Sequence, residues 1–364
     1  MTVAFLALSL RLLSAEPEKT NQAAVASKPV PSFTARDADA AFAAYNKAFY
    51  VVKGGKGYYK EDTTGGRNHF WTQAEEIEMI LDAWEHSRSP AHKSILDESM
   101  NGFVDHWGTN WTSNKYNDDL MWMVIASARA FLAATNTVYK ELAKFHFDET
   151  YARAWSADLG GGLWWTTKNT SKNACVNGPG AIAACYLHKI FRDQSYLDKA
   201  KAIYAWERKN LFVEASGAIR DNMRADGRVG GRALTYNTGT FIGAANFLAE
   251  LTGDKTYLAD AEKAADYTRD KLCATGILPG YGGGDGSGFN GIFVRWLAKF
   301  VGDNHLWPKY HAWMLQNANA ALNGRRPDNL AWNRWQTATP DGTLRAWACA
   351  DTVVIMQLVP LELP

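Results

Sequence analysis

The sequence predicts an all-α protein, an (α/α)6 barrel of six helical hairpins. Three observations predict it. Two kinds of helical segment alternate along the chain. The pair recurs with a period of about 55 residues, in the range of repeat architectures. The long Gly-, Asn- and Trp-rich stretches fall just before segments of one kind. That kind is apolar nearly all round, as in Leu120–Ala126, and such a helix must be buried on every side. The other is amphipathic, as in Tyr257–Tyr267, so one face meets water.

Amphipathic helices are expected near 37–50, 91–106, 139–156, 195–211, 256–272 and 308–322, and apolar ones near 70–86, 118–134, 174–191, 237–251, 289–301 and 345–358. Six outer helices around six buried ones make the barrel; a superhelical array of the same hairpins is the structural alternative. A weak repeat marks the turn after an apolar helix: Arg192-Asp193-Gln194-Ser195-Tyr196-Leu197, then Gly253-Asp254-Lys255-Thr256-Tyr257-Leu258, with Gly302–Trp307 a looser copy. In the barrel the inner helices run parallel, so their N-termini open at one end.

The chain has 364 residues, ample for one large domain. Residues 1–15 are apolar and then small, like the end of a secretory signal peptide. They are too few to span a bilayer. Residues 16–36 read as a linker and 37–364 as the barrel domain, and the signal-like segment places the protein outside the cell or in a periplasm. The net charge of +1 is spread along the chain, which argues against a nucleic-acid partner, since that needs a basic stripe. Four cysteines lack a Cys-x-x-Cys spacing. Cys175 and Cys185 fall on one helix too far apart to bridge, so buried free thiols are expected. The eight His form no ligand cluster, so no metal and no cofactor is expected. A monomer is the working expectation.

Six stretches precede inner helices: Gly65–Gln73, Lys115–Asp119, Gly160–Trp165 with Lys172–Pro179, Thr235–Gly239, Gly282–Asn290 and Leu344–Trp347. Each alone has a plain structural reading: a turn, a helix start or core tryptophan. Gly282–Gly288 does not read as a phosphate loop, because no strand is legible before it. In the barrel all six converge at one rim, and distant polar segments meeting in a concavity mark a site. The 15 Trp residues supply faces that can stack on sugar rings, although core packing also uses Trp.

Asp118 and Asp119 stand at the start of an inner helix. Acidic residues there can simply favour the helix dipole or cap free N–H groups. They can also be the paired carboxyls of glycosidic bond cleavage. Adjacent side chains at a helix start diverge by about 100°, which can hold two carboxyls about 5–6 Å apart, near the value for retaining enzymes. Two carboxylates that close disfavour double ionisation, so one stays protonated as an acid. The spacing does not say which.

With these stretches in view, the chain resembles glycoside hydrolase family 76, the endo-α-1,6-mannanases. The resemblance rests on Phe70-Trp71-Thr72-Gln73-Ala74, Asn117-Asp118-Asp119, Gly161-Gly162-Leu163-Trp164-Trp165, Lys172-Asn173 with Asn177-Gly178-Pro179, Thr235–Gly239, and Gly283-Gly284-Asp285 with Phe289–Arg295. It implies hydrolysis of α-1,6-linked mannan with retention, Asp118 as nucleophile and Asp119 as general acid/base. It points to Trp71, Asn117, Trp122, Trp164, Trp165, Asn173, Asn177, Tyr236, Asn237, Asp285, Asn290 and Arg295 as substrate-binding residues. Arg295 could reach the cleft or anchor a carboxylate behind it, with Asp285 or Asp118 the expected partner. Transglycosylation of mannose-containing cell-wall glycans and a non-catalytic glycan-binding barrel are the alternatives. An epimerase would want His acid/base groups, and only His69 lies in a rim motif.

Overall fold

A computed structural model describes residues 32–363. The expected signal segment lies outside them, as does the expected linker up to residue 31. Among the described residues are twelve α-helices: α1 (Ala35–Phe49), α2 (Phe70–Ser87), α3 (Pro90–Trp107), α4 (Asn117–Ala134), α5 (Thr137–Ala154), α6 (Ala174–Phe191), α7 (Gln194–Asn210), α8 (Thr235–Thr252), α9 (Thr256–Tyr267), α10 (Phe289–Asp303), α11 (Trp307–Asn323) and α12 (Ala346–Leu358). The even-numbered helices pack in order, and α12 returns to α2, which closes a ring. The odd-numbered helices lie outside it. This is the (α/α)6 barrel.

The burial of each helix follows its composition. In α8 every residue from Thr235 to Leu248 is buried, and in α6 every residue from Ala174 to Leu187. Outer helices bury one stripe, such as Tyr196, Leu197, Ala200, Ile203 and Tyr204 of α7. Small residues let the inner helices close up. A Cβ on Gly239 of α8 would stand 2.6 Å from the Phe293 Cα of α10, well inside van der Waals contact.

The two ends of the barrel differ. Each inner helix from α2 to α10 passes to its outer neighbour through two or three residues. The repeated turn explains how. Arg88, Thr135, Arg192 and Gly253 take left-handed backbone conformations that end the inner helix. Asn136 and Asp193 then cap the next helix, accepting from the N–H of Val138 and Ser195, and Asp254 accepts from Thr256 in the same way. The connections from outer to inner helices run for nine to 24 residues, all at the opposite end.

Those long loops hold what the helical reading missed: seven short antiparallel strands. β1 (Tyr50–Lys53) and β2 (Lys56–Tyr59) form a hairpin. Its turn is Gly54-Gly55, both at positive φ, 59° and 72°, as such a turn demands. β4 (Phe212–Val213) pairs with β5 (Ala218–Ile219). β3 (Ser171–Asn173) pairs with β6 (Asn222–Arg224), and β6 with β7 (Val229–Gly230). α9 is also shorter than expected; residues 268–272 continue it as a π turn. No helix among the described residues is long and apolar enough to cross a membrane.

Candidate active site

A cleft of about 890 Å³ opens where the N-termini of the inner helices meet the long loops. Its aromatic lining is Trp71, Tyr116, Trp122, Trp165, Tyr236 and Phe289. Its acidic groups are Asp118, Asp119, Asp221 and Asp285. His69, Ser171, Asn173, Cys175, Asn222 and Arg224 also face it. Motifs nearly 170 residues apart in sequence, from Asp118 to Asp285, share this one concavity.

Asp118 and Asp119 are the second and third residues of α4. Neither caps the helix, which starts without a side-chain cap. The loop before them is fastened from behind. Arg153 of α5 donates to the carbonyls of Thr112 and Asn114, 2.7 Å each, and to Asn117 Oδ1 at 2.7 Å. Asn117 in turn donates to the Trp164 carbonyl at 2.7 Å, and its N–H donates to the Trp165 carbonyl at 2.9 Å. Asn114 then donates to Asp119 Oδ2 at 2.9 Å. Asp119 is thus oriented by a chain of bonds that begins on an outer helix.

Asp118 has fewer partners. Cys175 Sγ donates to its Oδ2 at 3.4 Å, while Oδ1 has no hydrogen-bond partner. The Trp165 indole N–H lies near enough to favour the carboxylate but makes no hydrogen bond and is itself unpartnered. Burial pushes the Asp118 carboxyl well above the usual carboxylate range, and the Asp119 charge adds to the rise. Burial raises Asp119 less, with Asp285 adding to the rise and Asn114 and His69 opposing it. Burial therefore outweighs the helix dipole, which favours the charged forms by only about 0.3–1 kcal/mol. The pair carries one shared proton into the neutral range, as a carboxylate/carboxylic acid couple requires.

Several residues expected to touch substrate stand behind the lining. Asn117 fastens the loop as described. Asn177 grips the Leu163 backbone from both sides, accepting its N–H at 2.8 Å and donating to its carbonyl at 3.1 Å. Trp164 is buried beneath the Lys172 ammonium, 4.6 Å from the ring centroid. Asn290 joins Thr235 Oγ1 to the Pro279 carbonyl. Asn237 donates to Asp221 Oδ1 at 3.0 Å and so positions a lining carboxylate. Arg295 lies deep in the bore, bound to Glu75 and Asp82 of α2 rather than to Asp285 or Asp118. It sits nearly two turns into α10, too far from the rim for either aspartate.

The family model of glycosyl hydrolase family 76 matches residues 34–360. The chain belongs to glycosyl hydrolase family 76. Solved structures agree. The GH76A α-1,6-mannanase from Salegentibacter sp. HEL1_6 is 30% identical, with a TM-score of 0.82 over 89% of this chain and 98% of that one. An inactive variant of that mannanase, with two consecutive aspartates changed to asparagine, is in complex with α-1,6-mannotriose. It aligns with a TM-score of 0.83 and 30% identity over 90% of this chain and 99% of that one. Dfg5 from Chaetomium thermophilum, in complex with glucosamine, shares the fold at 16% identity, with a TM-score of 0.76 over 91% and 92%. No curated protein matches the chain.

This family 76 member also has cleft residues that the sequence reading passed over. Thr170, Ser171, Asp221, Asn222 and Arg224 reach the cleft on or beside the β3–β6–β7 sheet. A weak signal was present: Asp226-Gly227 is a hairpin-turn dipeptide, although Val229 is the one strand-favouring residue beside it. Asp221 is also tied to the helix ring, since its carbonyl accepts the Ala174 N–H that opens α6.

Proposed function

We propose that this glycoside hydrolase is a secreted endo-α-1,6-mannanase that works with retention of configuration. The observation that carries this reading is the Asp118–Asp119 pair. It is the one Asp-Asp in the sequence, it lies in the cleft, and both carboxyls are raised. The inactive Salegentibacter mannanase lacks two consecutive aspartates and still holds α-1,6-mannotriose, which supports the same assignment here. A cleft of about 890 Å³ has room for several sugar rings, as an endo-acting enzyme needs.

In the first step Asp118 attacks the anomeric carbon of a mannose bound in the cleft. The bond to the O6 oxygen of the next mannose breaks, and Asp119 gives that oxygen its proton. A covalent mannosyl–Asp118 ester remains. Asp119, now ionised, takes a proton from water, and the water oxygen displaces Asp118 with a second inversion. These roles require the proton that the pair shares to sit on Asp119 as glycosyl transfer begins. The positive charge that develops at the anomeric carbon favours an ionised Asp118 beside it.

Product analysis tests the proposal. Linear α-1,6-mannan should yield manno-oligosaccharides of several lengths, with the α-anomer formed first. Release of mannose alone, or a β-anomer, would overturn the endo-acting or retaining part. Products longer than the starting oligosaccharide after addition of mannotriose would identify a transglycosylase instead. No cleavage of any mannan would leave a binding barrel.

A further inference from the structure

Cys175 is the second residue of α6. It is buried but contributes to the cleft lining. The start of α6 is rigidly held: the Ala174 N–H donates to the Asp221 carbonyl at 2.9 Å, and Asn177 donates to the Asn173 carbonyl at 2.8 Å. The thiol therefore has a fixed place, with Sγ 3.4 Å from Asp118 Oδ2. The Tyr236 hydroxyl of α8 sits beside the same sulfur. Burial holds the thiol far above its ordinary pKa, so it stays protonated and can only donate to the carboxylate.

We propose that Cys175 is a positioning residue for glycosyl transfer to Asp118: its S–H holds Oδ2 against α6 and favours the ionised carboxylate. The proposal rests on the reading of Asp118 as nucleophile. The groups around that carboxyl make a donor necessary. Asp119 on the same helix opposes its charge, and Asp221 and Asp285 line the same cleft. His69 at the start of α2 acts on Asp119. Tyr236 is buried, and burial keeps its hydroxyl protonated. Oδ1 is enclosed and has no partner. The Trp165 indole N–H favours the charge from nearby without a hydrogen bond, and Cys175 makes the one hydrogen bond to the Asp118 carboxyl among the described residues. A thiol is a weak donor, so it supports the charge without tying it down as an N–H would.

The test compares Cys175→Ala and Cys175→Ser with wild type on linear α-1,6-mannan. In Cys175→Ala the acidic limb of the kcat/KM–pH profile should move up by about one unit, with a loss of roughly tenfold below the limb. Cys175→Ser, which keeps a donor, should return the limb to the wild-type position or below it. All three should melt within a few degrees of one another. An unmoved limb in Cys175→Ala, or a serine variant that behaves like alanine, overturns the proposal. Should Cys175→Ala fail to fold, infrared spectra of wild type decide. The S–H stretch lost in Cys175→Ser should shift as Asp118 titrates and cease to do so in Asp118→Asn. A pH-indifferent band overturns the idea. Wild type inactive on every mannan would instead sink the mannanase reading itself.

Discussion

Arg295 Nε lies 2.7 Å from Asp82 Oδ2, joining α10 to α2 through the interior of the ring. Arg295 Nη1 reaches Glu75 at 2.6 Å, and Arg129 of α4 binds Glu78 and Asp82 from the other side, 2.8 Å each. Glu75, Glu78 and Asp82 fall on one face of α2 by their spacing of three and four, and all are buried. Removing one partner from such a cluster leaves charge uncompensated, at a cost of about 3–5 kcal/mol. Arg295→Met should therefore lower the urea midpoint strongly. Its affinity for α-1,6-mannotriose, measured by calorimetry in an inactive background, should stay within a few-fold of the parent, because Arg295 does not line the cleft. The opposite pattern would return Arg295 to a role in recognition.

Azide separates the two aspartates. Asp119→Ala should still be glycosylated by an aryl mannoside with a good leaving group, and azide should speed turnover and give the α-mannosyl azide. Asp118→Ala cannot form the ester, so any azide adduct should be the β-product. On mannan each should lose at least the 10²–10⁴-fold that general acid–base assistance is worth, roughly. Product stereochemistry by NMR reads the outcome, and reversed adducts would exchange the two roles.

Glu76 gives the folded state a pH dependence unrelated to catalysis. It accepts from Tyr45 at 2.9 Å and from Asn68, while its Oε2 has no partner. Burial raises its carboxyl to about 8 against those two bonds. The native state thus binds a proton that the unfolded chain, at an ordinary pKa of about 4.3, has released. The stability this contributes is complete below pH 4 and declines as pH rises towards 8, by an amount on the order of 5 kcal/mol. Glu76→Gln, neutral throughout, should flatten that decline in urea titrations between pH 5 and 8. An unchanged slope would place the proton elsewhere.

Trp71 and Trp165 are the half-buried indoles in the cleft, whereas Trp122 and Trp164 are almost wholly covered. Mannotetraose should change the intrinsic fluorescence, and either Trp71→Leu or Trp165→Leu should abolish most of that change. A lost stack raises KM about three- to tenfold. A full fluorescence response in both variants would mean that neither ring meets the sugar.

The helices were legible because burial writes itself into composition: a helix covered on all sides, such as α8, has no polar face to show. The Asp118–Asp119 pair was legible because two charges in an apolar helix start need a reason. The short strands were less so. β6 is three residues long and owes its place to pairing with β3 from another loop, a contact no local pattern reports. The asparagines misled for a related reason. Asn117, Asn177 and Asn290 stand in motifs beside the cleft, and an amide serves equally to bind a sugar hydroxyl or to tie down a backbone. Only the direction of the side chain separates the two uses. Arg295 was read as an anchor or a contact; the anchor is real, but its carboxylates come from α2, more than 200 residues earlier.

The ring is closed by α12 against α2, helices near opposite ends of the folded chain. No partial chain can therefore complete it. During synthesis α2 must wait, with one apolar flank uncovered, until the last buried helix leaves the ribosome, at roughly 5–20 residues per second. The early hairpins can form locally, but the final step joins distant segments and is the slow one. Shortening the chain into α12 would leave α2 and α10 with facing apolar walls, an invitation to swap helices with a second molecule.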